Sequence, residues 1–592
     1  MLQILSKKCR RDIVEMIYNA GSGHIGGALS SIDIYIAVLN NMGEDDRLVV
    51  SHGHTSAALY SALGNMGYFD INDAIENFRR NAPYEGHPSL QVNGVEWCSG
   101  SLGQGLSVGV GFALAKTLQK EPGRVFVVMG DGEQQKGQLQ EAREFAVKYH
   151  LTNLVAIVDY NNLQACGTVD KTTEQNLADK YKMSGWDVVT VDGHNFEALQ
   201  NAFKSTEKPL CILAKTMMGK GIPEIENDWH YHGTVISKEL SQKYINEFSI
   251  SKEEEKLLQN IQKPNRLTYE VPVVPVAAGR TYTETSDIRS AMGNALADIA
   301  KKHPEVPIAA FDCDLEGSVK LTDFKKLRPE AFIECGIAEH NAATAAAAVA
   351  KSGMMAVHAD FSMFNIAETY SQNRMADINK APLKLFSTHA GLDVGEDGKT
   401  HQSVDYISLL SNFYGFRVIV PADANQADGA VHYAMSVPYP VAVIGGRSKM
   451  PILTDAEGNA LTFTYGKGQW LRRGGQATII TYGNMAHRAV KASDELKAEG
   501  IEVGVLNCPT PCDLDVDAIS DAAKTGLIVT YEDHNVKTGI SGEVARILCG
   551  TSCQLKALGV HQYGASTSPE NLYKEQGIDV ESLKNTIKIN LK

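Results

Sequence analysis

RVFVVMGDGEQQKGQLQEAREFAVKYHLTNLVAIVDYNN, Arg124 to Asn162, is the stretch whose reading decides the fold. It opens on a β-rich run, Arg124 to Met129, turns at Gly130-Asp131-Gly132, continues as a helix-forming segment to about Tyr149, and closes on a second β run from Leu154. Two strands joined by a helical crossover make a βαβ unit, so the strands are parallel. In open α/β sheets ligands collect beyond the carboxyl ends of the strands. Gly130-Asp131-Gly132 and Asn161-Asn162 both fall at such ends, separated by the 28 residues Glu133 to Tyr160, and are expected to face one site.

Working outward, Asp187 to Gly193 and Leu210 to Thr216 continue the alternation. From about Ser249 to Gly279 the pattern becomes a charged helix, SKEEEKLLQ, and then a stretch punctuated by Pro264, Pro272 and Pro275, which reads as a linker. Strand patterns resume at 306–311, 354–358, 383–388, 416–420 and 440–444, and again at 477–481, 502–506 and 527–531. The expected organisation is therefore three consecutive α/β domains with mainly parallel sheets: 1–248, a linker over 249–279, 280–455 and 456–592. The 592 residues, at about 150 per domain, allow that number.

Composition narrows the function. Hydrophobic residues make up 43% and charged residues 21%, ordinary for a globular protein with several cores. The net charge of −14 has the wrong sign for tracking a phosphate backbone, so no nucleic-acid partner is expected. No run approaches the roughly 20 apolar residues of a membrane span; Ala342 to Ala350, interrupted by Thr344, reads as a tightly packed helix. Lys7, Lys8, Arg10 and Arg11 stand where a signal core would be, which points to the cytoplasm. Ten cysteines are too few for a disulfide scaffold and agree with a reducing compartment. Cys508/Cys512 and Cys549/Cys553 could in principle pair as a four-thiolate zinc site, although their three-residue gaps sit in ordinary α/β pattern. Cys166, Cys313 and Cys335 read as small buried hydrophobes near the site motifs.

A lone Gly-Asp-Gly is also a plain turn. Its context supplies more: the Asp131 carboxylate, the Asn161 side-chain carbonyl and a nearby main-chain carbonyl are hard oxygen ligands, an incomplete octahedron that magnesium bearing a diphosphate would complete. Gly132 lets the chain approach phosphates, and the helix after it is expected to aim its N-terminal dipole at them.

Ten ordered words strengthen this reading: SGHIGGALS (Ser22–Ser30), SHGH (Ser51–His54), GHP (Gly86–Pro88), SGSLGQG (Ser99–Gly105), MGDGEQQKG, DYNN, WHYHG (Trp229–Gly233), GIAEH (Gly336–His340), DFSMF (Asp360–Phe364) and THAGLDVGEDGKTHQ (Thr388–Gln402). Through them the chain resembles the transketolases, thiamine diphosphate enzymes, over essentially its whole length. The resemblance implies a diphosphate-binding, a pyrimidine-binding and a C-terminal domain, and a homodimer with active sites at the subunit interface. It implies Asp131, Asn161 and the carbonyl of Leu163 as ligands of Mg2+, with Ca2+ or Mn2+ able to substitute. His54, Gly132 and His232 would hold the diphosphate. Gly100, Ser101 and Leu102 would contact the cofactor through their backbone, and Phe361 and Phe364 would pack on its aminopyrimidine.

Glu339 is the first candidate catalyst. A carboxyl beside a buried Ala-rich helix keeps its proton and can donate it to the aminopyrimidine ring. His24, His87, His232, Asp397 and His401 match positions that read sugar hydroxyls; imidazoles can donate, accept and shuttle protons there, so His24, His232 and His401 join Glu339 as catalytic candidates. Arg289, Ser318, His389 and Arg447 match the clamp for the phosphate of a sugar phosphate. A ketol transfer from a xylulose 5-phosphate type donor to a ribose 5-phosphate type acceptor follows. This chain departs from the family's pattern at Lys136, where an acidic residue is usual and which puts coupling between sites in doubt, though Glu141 would preserve part of that network. It departs also at Ser101 in place of proline and at Ala367 in place of tyrosine. The last departure and the length resemble a fusion of the two-subunit type. The rival readings are a 1-deoxyxylulose-5-phosphate synthase-like decarboxylating carboligase and a catalytically silent cofactor-binding paralogue.

Overall fold

The computed structural model describes all residues except 205, 259, 260, 262–266 and 592, so Gln259 and Pro264 of the predicted linker lie outside the described residues. The chain forms two compact units, Met1–Glu270 and Val271–Lys592.

The first unit is built on a five-stranded, wholly parallel sheet of β1 (Arg47–Val50), β2 (Val125–Gly130), β3 (Leu154–Tyr160), β4 (Asp187–Asp192) and β5 (Leu210–Lys215), ordered β1-β2-β3-β5-β4. Strands covered by helices on both faces need near-continuous apolar runs; VFVVM and LVAIV are such runs and are buried throughout. Edge strand β4 carries Asp187, Thr190 and Asp192 and is only partly covered. The Gly105–Gln119 helix lies close on β2: a Cβ at Gly109 would come within 2.2 Å of Val127, so only glycine fits there.

In the second unit, β6 (Ile308–Asp312), β7 (Phe332–Glu334), β8 (Met355–Phe361), β9 (Lys384–Thr388), β10 (Arg417–Ile419) and β11 (Val441–Ile444) form a parallel sheet ordered β10-β11-β9-β8-β6-β7. Beside it stands a sheet of β12 (Gln469–Arg472), β13 (Ala477–Thr481), β14 (Val503–Asn507), β15 (Leu527–Asn535) and β16 (Gln554–Val560), parallel except for β12. The buried Asp533 carboxylate at the end of β15 accepts from the Leu392 amide at 2.9 Å and from the Tyr573 hydroxyl at 3.0 Å, tying the two sheets together. Residues 271–279, read as linker, belong to this unit: Val274 is buried and its amide donates to Met435.

The α/β reading with mainly parallel sheets stands. Within these three sheets four strands escaped the sequence reading, β1, β7, β12 and β16, as did the small antiparallel pair Leu163–Gln164 and Gly167–Thr168. β1, β7 and β12 hold only three or four residues, and β12 and β16 mix Gln, Arg and Lys into edge positions. Ala342–Ala350 lies buried in the helix Glu339–Ala350. Among the described residues no helix is long and apolar enough to cross a membrane.

Candidate functional site

In the first unit, β2 and β3 end side by side, Gly130 paired with Asp159, so Asp131 and Asn161 emerge together. They line a cavity of about 380 Å3 with Gly132, His54, Leu102 and His232 among its walls. Asp131 is 2% exposed; burial, and then the charge of Asp159, push its carboxyl up to about 8. Its Oδ2 accepts from the Asn162 amide at 2.5 Å. The Asn161 side-chain oxygen accepts from the Leu163 amide at 2.9 Å. Two buried carboxyls with amide and carbonyl oxygens beside them are a donor set that a hard divalent cation stabilises. A Cβ at Gly132 would approach Gln164 to 2.9 Å and narrow the same cavity. On both counts the residues fit a metal-bound diphosphate.

The turn after β2 differs from its expected form. Gly132–Gln135 is a single 3-10 turn, and the α-helix starts only at Gln138. The cause is Glu133, which is buried and accepts from Ser51 Oγ at 2.6 Å, Gly103 N at 2.6 Å and Gly130 N at 2.9 Å. Its carboxylate holds the GDG turn to the SLG turn, so no α-helix N-terminus stands directly after Gly132. Gly103, at φ +82°, packs so closely on Lys136 that a Cβ would meet it at 2.6 Å. Lys136 lines the cavity.

His54 and His232 of the cavity wall belong to a nest of imidazoles. His24 lies 5.4 Å from His54, 5.7 Å from His232 and 6.4 Å from His87, ring centre to ring centre, and His54 lies 5.1 Å from His232. Burial is the first cause in each case: it holds His24 down to about 4, with help from Arg79, and lowers His54, His87 and His232 as well. Neutral imidazoles each carry one donor and one acceptor. Arg79 Nη2 lies 3.1 Å from His24 Nδ1. A guanidinium only donates, so Nδ1 is the acceptor and His24 bears its proton on Nε2.

The second unit gathers a different set at the carboxyl ends of β6, β8 and β9. Phe361 ends β8 and stacks on His389, 3.7 Å between ring centres; Phe364 lies 6.1 Å from Phe361 and edge-on to His401 at 5.3 Å. Arg289 Nη1 donates to the Ser318 carbonyl at 3.1 Å and lies 3.5 Å from His389 Nε2. Arg447 donates to the Val394 carbonyl at 3.0 Å and lies 3.6 Å from both Glu396 and Asp397. Burial, then Arg289 and Arg447, lower His389 to about 3. Glu339 heads the helix Glu339–Ala350, and burial raises the nearby Asp360 carboxyl.

The structure thus brings Asp131, Asn161, Leu163, Gly132, His54, His232, His24 and His87 together in one unit. It brings Phe361, Phe364, Arg289, Ser318, His389, Asp397, His401 and Arg447 together in the other. Of the SGSLGQG turn, Leu102 reaches the cavity, and Gly100 packs against the His87 ring, where a Cβ would lie 3.5 Å away. Sequence reasoning missed Glu133, Asp159, Arg79 and His52. Asp159 accepts from Ser30 Oγ at 2.7 Å and helps set the charge on Asp131; His52 bridges Ser31 and the Val128 carbonyl. The SHGH and DYNN words contain His52 and Asp159, so a signal was present; Arg79 lies outside every motif. Cys508 is buried and Cys549 exposed, and among the described residues no three of Cys508, Cys512, Cys549 and Cys553 group as metal ligands.

Sheets, cavity and donor set define a class: an α/β protein with a diphosphate-binding half and an aromatic, arginine-bearing half. Residues 3–263 match the family model described as transketolase, thiamine diphosphate binding domain; residues 284–452 match transketolase, pyrimidine binding domain; residues 466–583 match transketolase, C-terminal domain. Transketolase-like protein 2 of Mus musculus is 31% identical over 92% of this chain and 88% of its own length. Transketolase of Rattus norvegicus is 30% identical over 99% and 97%. The solved transketolase of Campylobacter jejuni subsp. jejuni NCTC 11168 shares the fold with a TM-score of 0.87 at 24% identity, covering 99% of both chains. The chain belongs to the transketolase family.

Proposed function

We propose that the protein acts as a transketolase: with thiamine diphosphate and Mg2+ (or Ca2+ or Mn2+) it transfers a two-carbon ketol unit from a ketose phosphate of the xylulose 5-phosphate type to an aldose phosphate of the ribose 5-phosphate type. The observation that carries this reading is the nest of four neutral imidazoles adjoining the acidic cavity at the ends of β2 and β3. Bound thiamine diphosphate supplies a carbon nucleophile and electron sink.

The chain's own residues do the rest. Asp131, Asn161 and the Leu163 carbonyl hold the cation, and His54, His232 and the Gly132 backbone take the diphosphate oxygens. The Gly100-Ser101-Leu102 turn and the Phe361–Phe364 pair position the rings. Glu339 holds a proton for the aminopyrimidine nitrogen. His24, with Nε2–H set by Arg79, donates to a substrate oxygen; His87, His232, His401 and Asp397 read the remaining hydroxyls. His24, His232 and His401 are placed to pass protons as the carbon–carbon bond is cut and remade. Arg289, Arg447, Ser318 and His389 bind the terminal phosphate, for which two guanidinium forks are suited. A homodimer with active sites at the subunit interface and a cytoplasmic location belong to the same proposal.

Turnover of xylulose 5-phosphate with ribose 5-phosphate, and none of pyruvate with glyceraldehyde 3-phosphate, is the expected result. Turnover with pyruvate alone would assign a decarboxylating carboligase instead. Failure to speed exchange of the C2 proton of bound thiamine diphosphate would assign a silent paralogue. Sedimentation as a single chain at working concentration would remove the dimer.

A further inference from the structure

Three neighbouring strands of the second unit carry, at or near their carboxyl ends, polar residues that the proposed reaction does not use. Cys313 follows the last residue of β6, and Cys335 follows the last residue of β7. The Cys335 amide donates to the Asp312 carbonyl at 2.8 Å, continuing the pairing of Asp312 with Glu334 and setting the two cysteines side by side. His358 and Asp360 are two residues apart on β8, so they leave one face of the sheet together. The ligand atoms of Cys313, His358 and Asp360 all lie within 4.8 Å of one another, and His358 Nε2 is 3.8 Å from Asp360 Oδ2. Cys313 is 3% exposed and the other two are fully buried.

Burial on this scale obliges polar atoms to find partners. Here three do not: neither ring nitrogen of His358 has a hydrogen-bond partner, nor does Asp360 Oδ2, although Asp360 Oδ1 accepts from the Phe361 amide at 2.6 Å and the Cys313 thiol lies against the same carboxyl. An imidazole and a carboxylate oxygen left unsatisfied beside a thiol, with all three converging on one point, make a ligand set lacking its centre.

We propose that Cys313, His358 and Asp360 hold a zinc ion, with Cys335 as the fourth ligand. Thiolate, imidazole and carboxylate together suit a borderline-soft, tetrahedral cation and not the hard, octahedral Mg2+ of the proposed catalytic site. Bonds of about 2.0 to 2.3 Å place tetrahedral ligand atoms roughly 3.3 to 3.8 Å apart, so the trio contracts by no more than about 1.5 Å. Ligation is balanced by loss of the two thiol protons, and of the proton that burial favours on Asp360, to solvent, with no change of oxidation state. The ion ties the carboxyl ends of β6, β7 and β8, from which the Cys335–Glu339 turn and Phe361 depart. Its role is to stiffen that framework, a further metal site independent of the activity proposed above.

The test uses the full-length protein with excess Mg2+ and thiamine diphosphate, titrated with Zn2+ and, separately, with Co2+. One zinc per chain is expected, with thiolate-to-cobalt charge transfer and the visible bands of tetrahedral cobalt. Cys313→Ser and His358→Gln should each weaken zinc binding by more than roughly 100-fold, above the loss usual for residues that merely orient ligands. Cys512→Ser and Cys549→Ser should leave it unchanged. In the unsubstituted protein, zinc should slow alkylation of the half-buried Cys335 thiol and raise the melting temperature, readouts that need no variant to fold. The proposal is overturned by binding without thiolate charge transfer, by binding that survives Cys313→Ser, by alkylation of Cys335 at the same rate with and without zinc, or by no zinc bound over the Mg2+ background.

Discussion

Burial shifts titratable groups in both units, yet the two sites are charged by different residues. In the first, burial dominates: His24, His54, His87 and His232 are lowered and stay neutral, while Asp131 is raised. In the second, the working cations are guanidiniums, which cannot give up their charge; Arg447 stays 41% exposed and pairs loosely with Glu396 and Asp397. The first arrangement favours proton traffic and a metal. The second favours a fixed clamp on an anion, where burial first and then the field of that clamp keep His389 neutral. Substitutions in the two units should therefore fail differently.

The largest effect is expected at the head of the helix that begins with Glu339. Glu339→Gln should lower kcat by about 10^2 to 10^4-fold, the range of a lost general acid, with the melting temperature nearly unchanged. A turnover equal to the parent protein's would remove Glu339 from the chemistry. Next, Asp131→Asn should cost about 100-fold in Mg2+ affinity and erase the rise in melting temperature that thiamine diphosphate with Mg2+ gives the parent. A rise of equal size in the variant would mean the cation sits elsewhere.

In the second unit, Arg289→Leu and Arg447→Leu should each lose about 1.5 to 3 kcal/mol, a ten- to hundred-fold drop in kcat/KM for phosphorylated substrates carried by KM. Unphosphorylated sugars should be used as before. Equal losses on both kinds of substrate would break the contrast between clamp and proton relay.

The smallest effect is one of pH. His24 is neutral down to about pH 4 because of burial and then Arg79. Removing that guanidinium in Arg79→Ala raises the imidazole toward its ordinary value of about 6.5. The protonated form then appears at higher pH, so the acid limb of the activity profile moves up while the rate at pH 8 changes little. An unmoved limb would separate Arg79 from His24.

The parallel α/β layout was legible because strands buried on two faces must be apolar without interruption, and VFVVM and LVAIV are. Strands β1 and β7 were not, because three or four residues carry too little pattern, nor were β12 and β16, edge strands whose apolar pattern is broken by Gln, Arg and Lys. Asp131 and Asn161 could be found because a strand's carboxyl end is a place defined along the chain. Glu133 stood in plain view two residues after Asp131, yet its work is done on Ser51 and Gly103, which are remote in sequence. Its three accepted hydrogen bonds also explain why a 3-10 turn, and not the start of an α-helix, follows the GDG.

By itself the sequence determined the parallel α/β layout of the long buried strands, the turns that carry Asp131 and Asn161, and the family. Each depends on local pattern, or on short words whose residue types admit few uses. Only the tertiary structure decided which side chains share an environment. Neutral imidazoles, a raised Asp131 and the unsatisfied atoms of His358 and Asp360 beside Cys313 all arise from burial and from neighbours on other strands. Desolvation and electrostatic coupling are properties of distance in space, and the order of residues along a chain does not contain them.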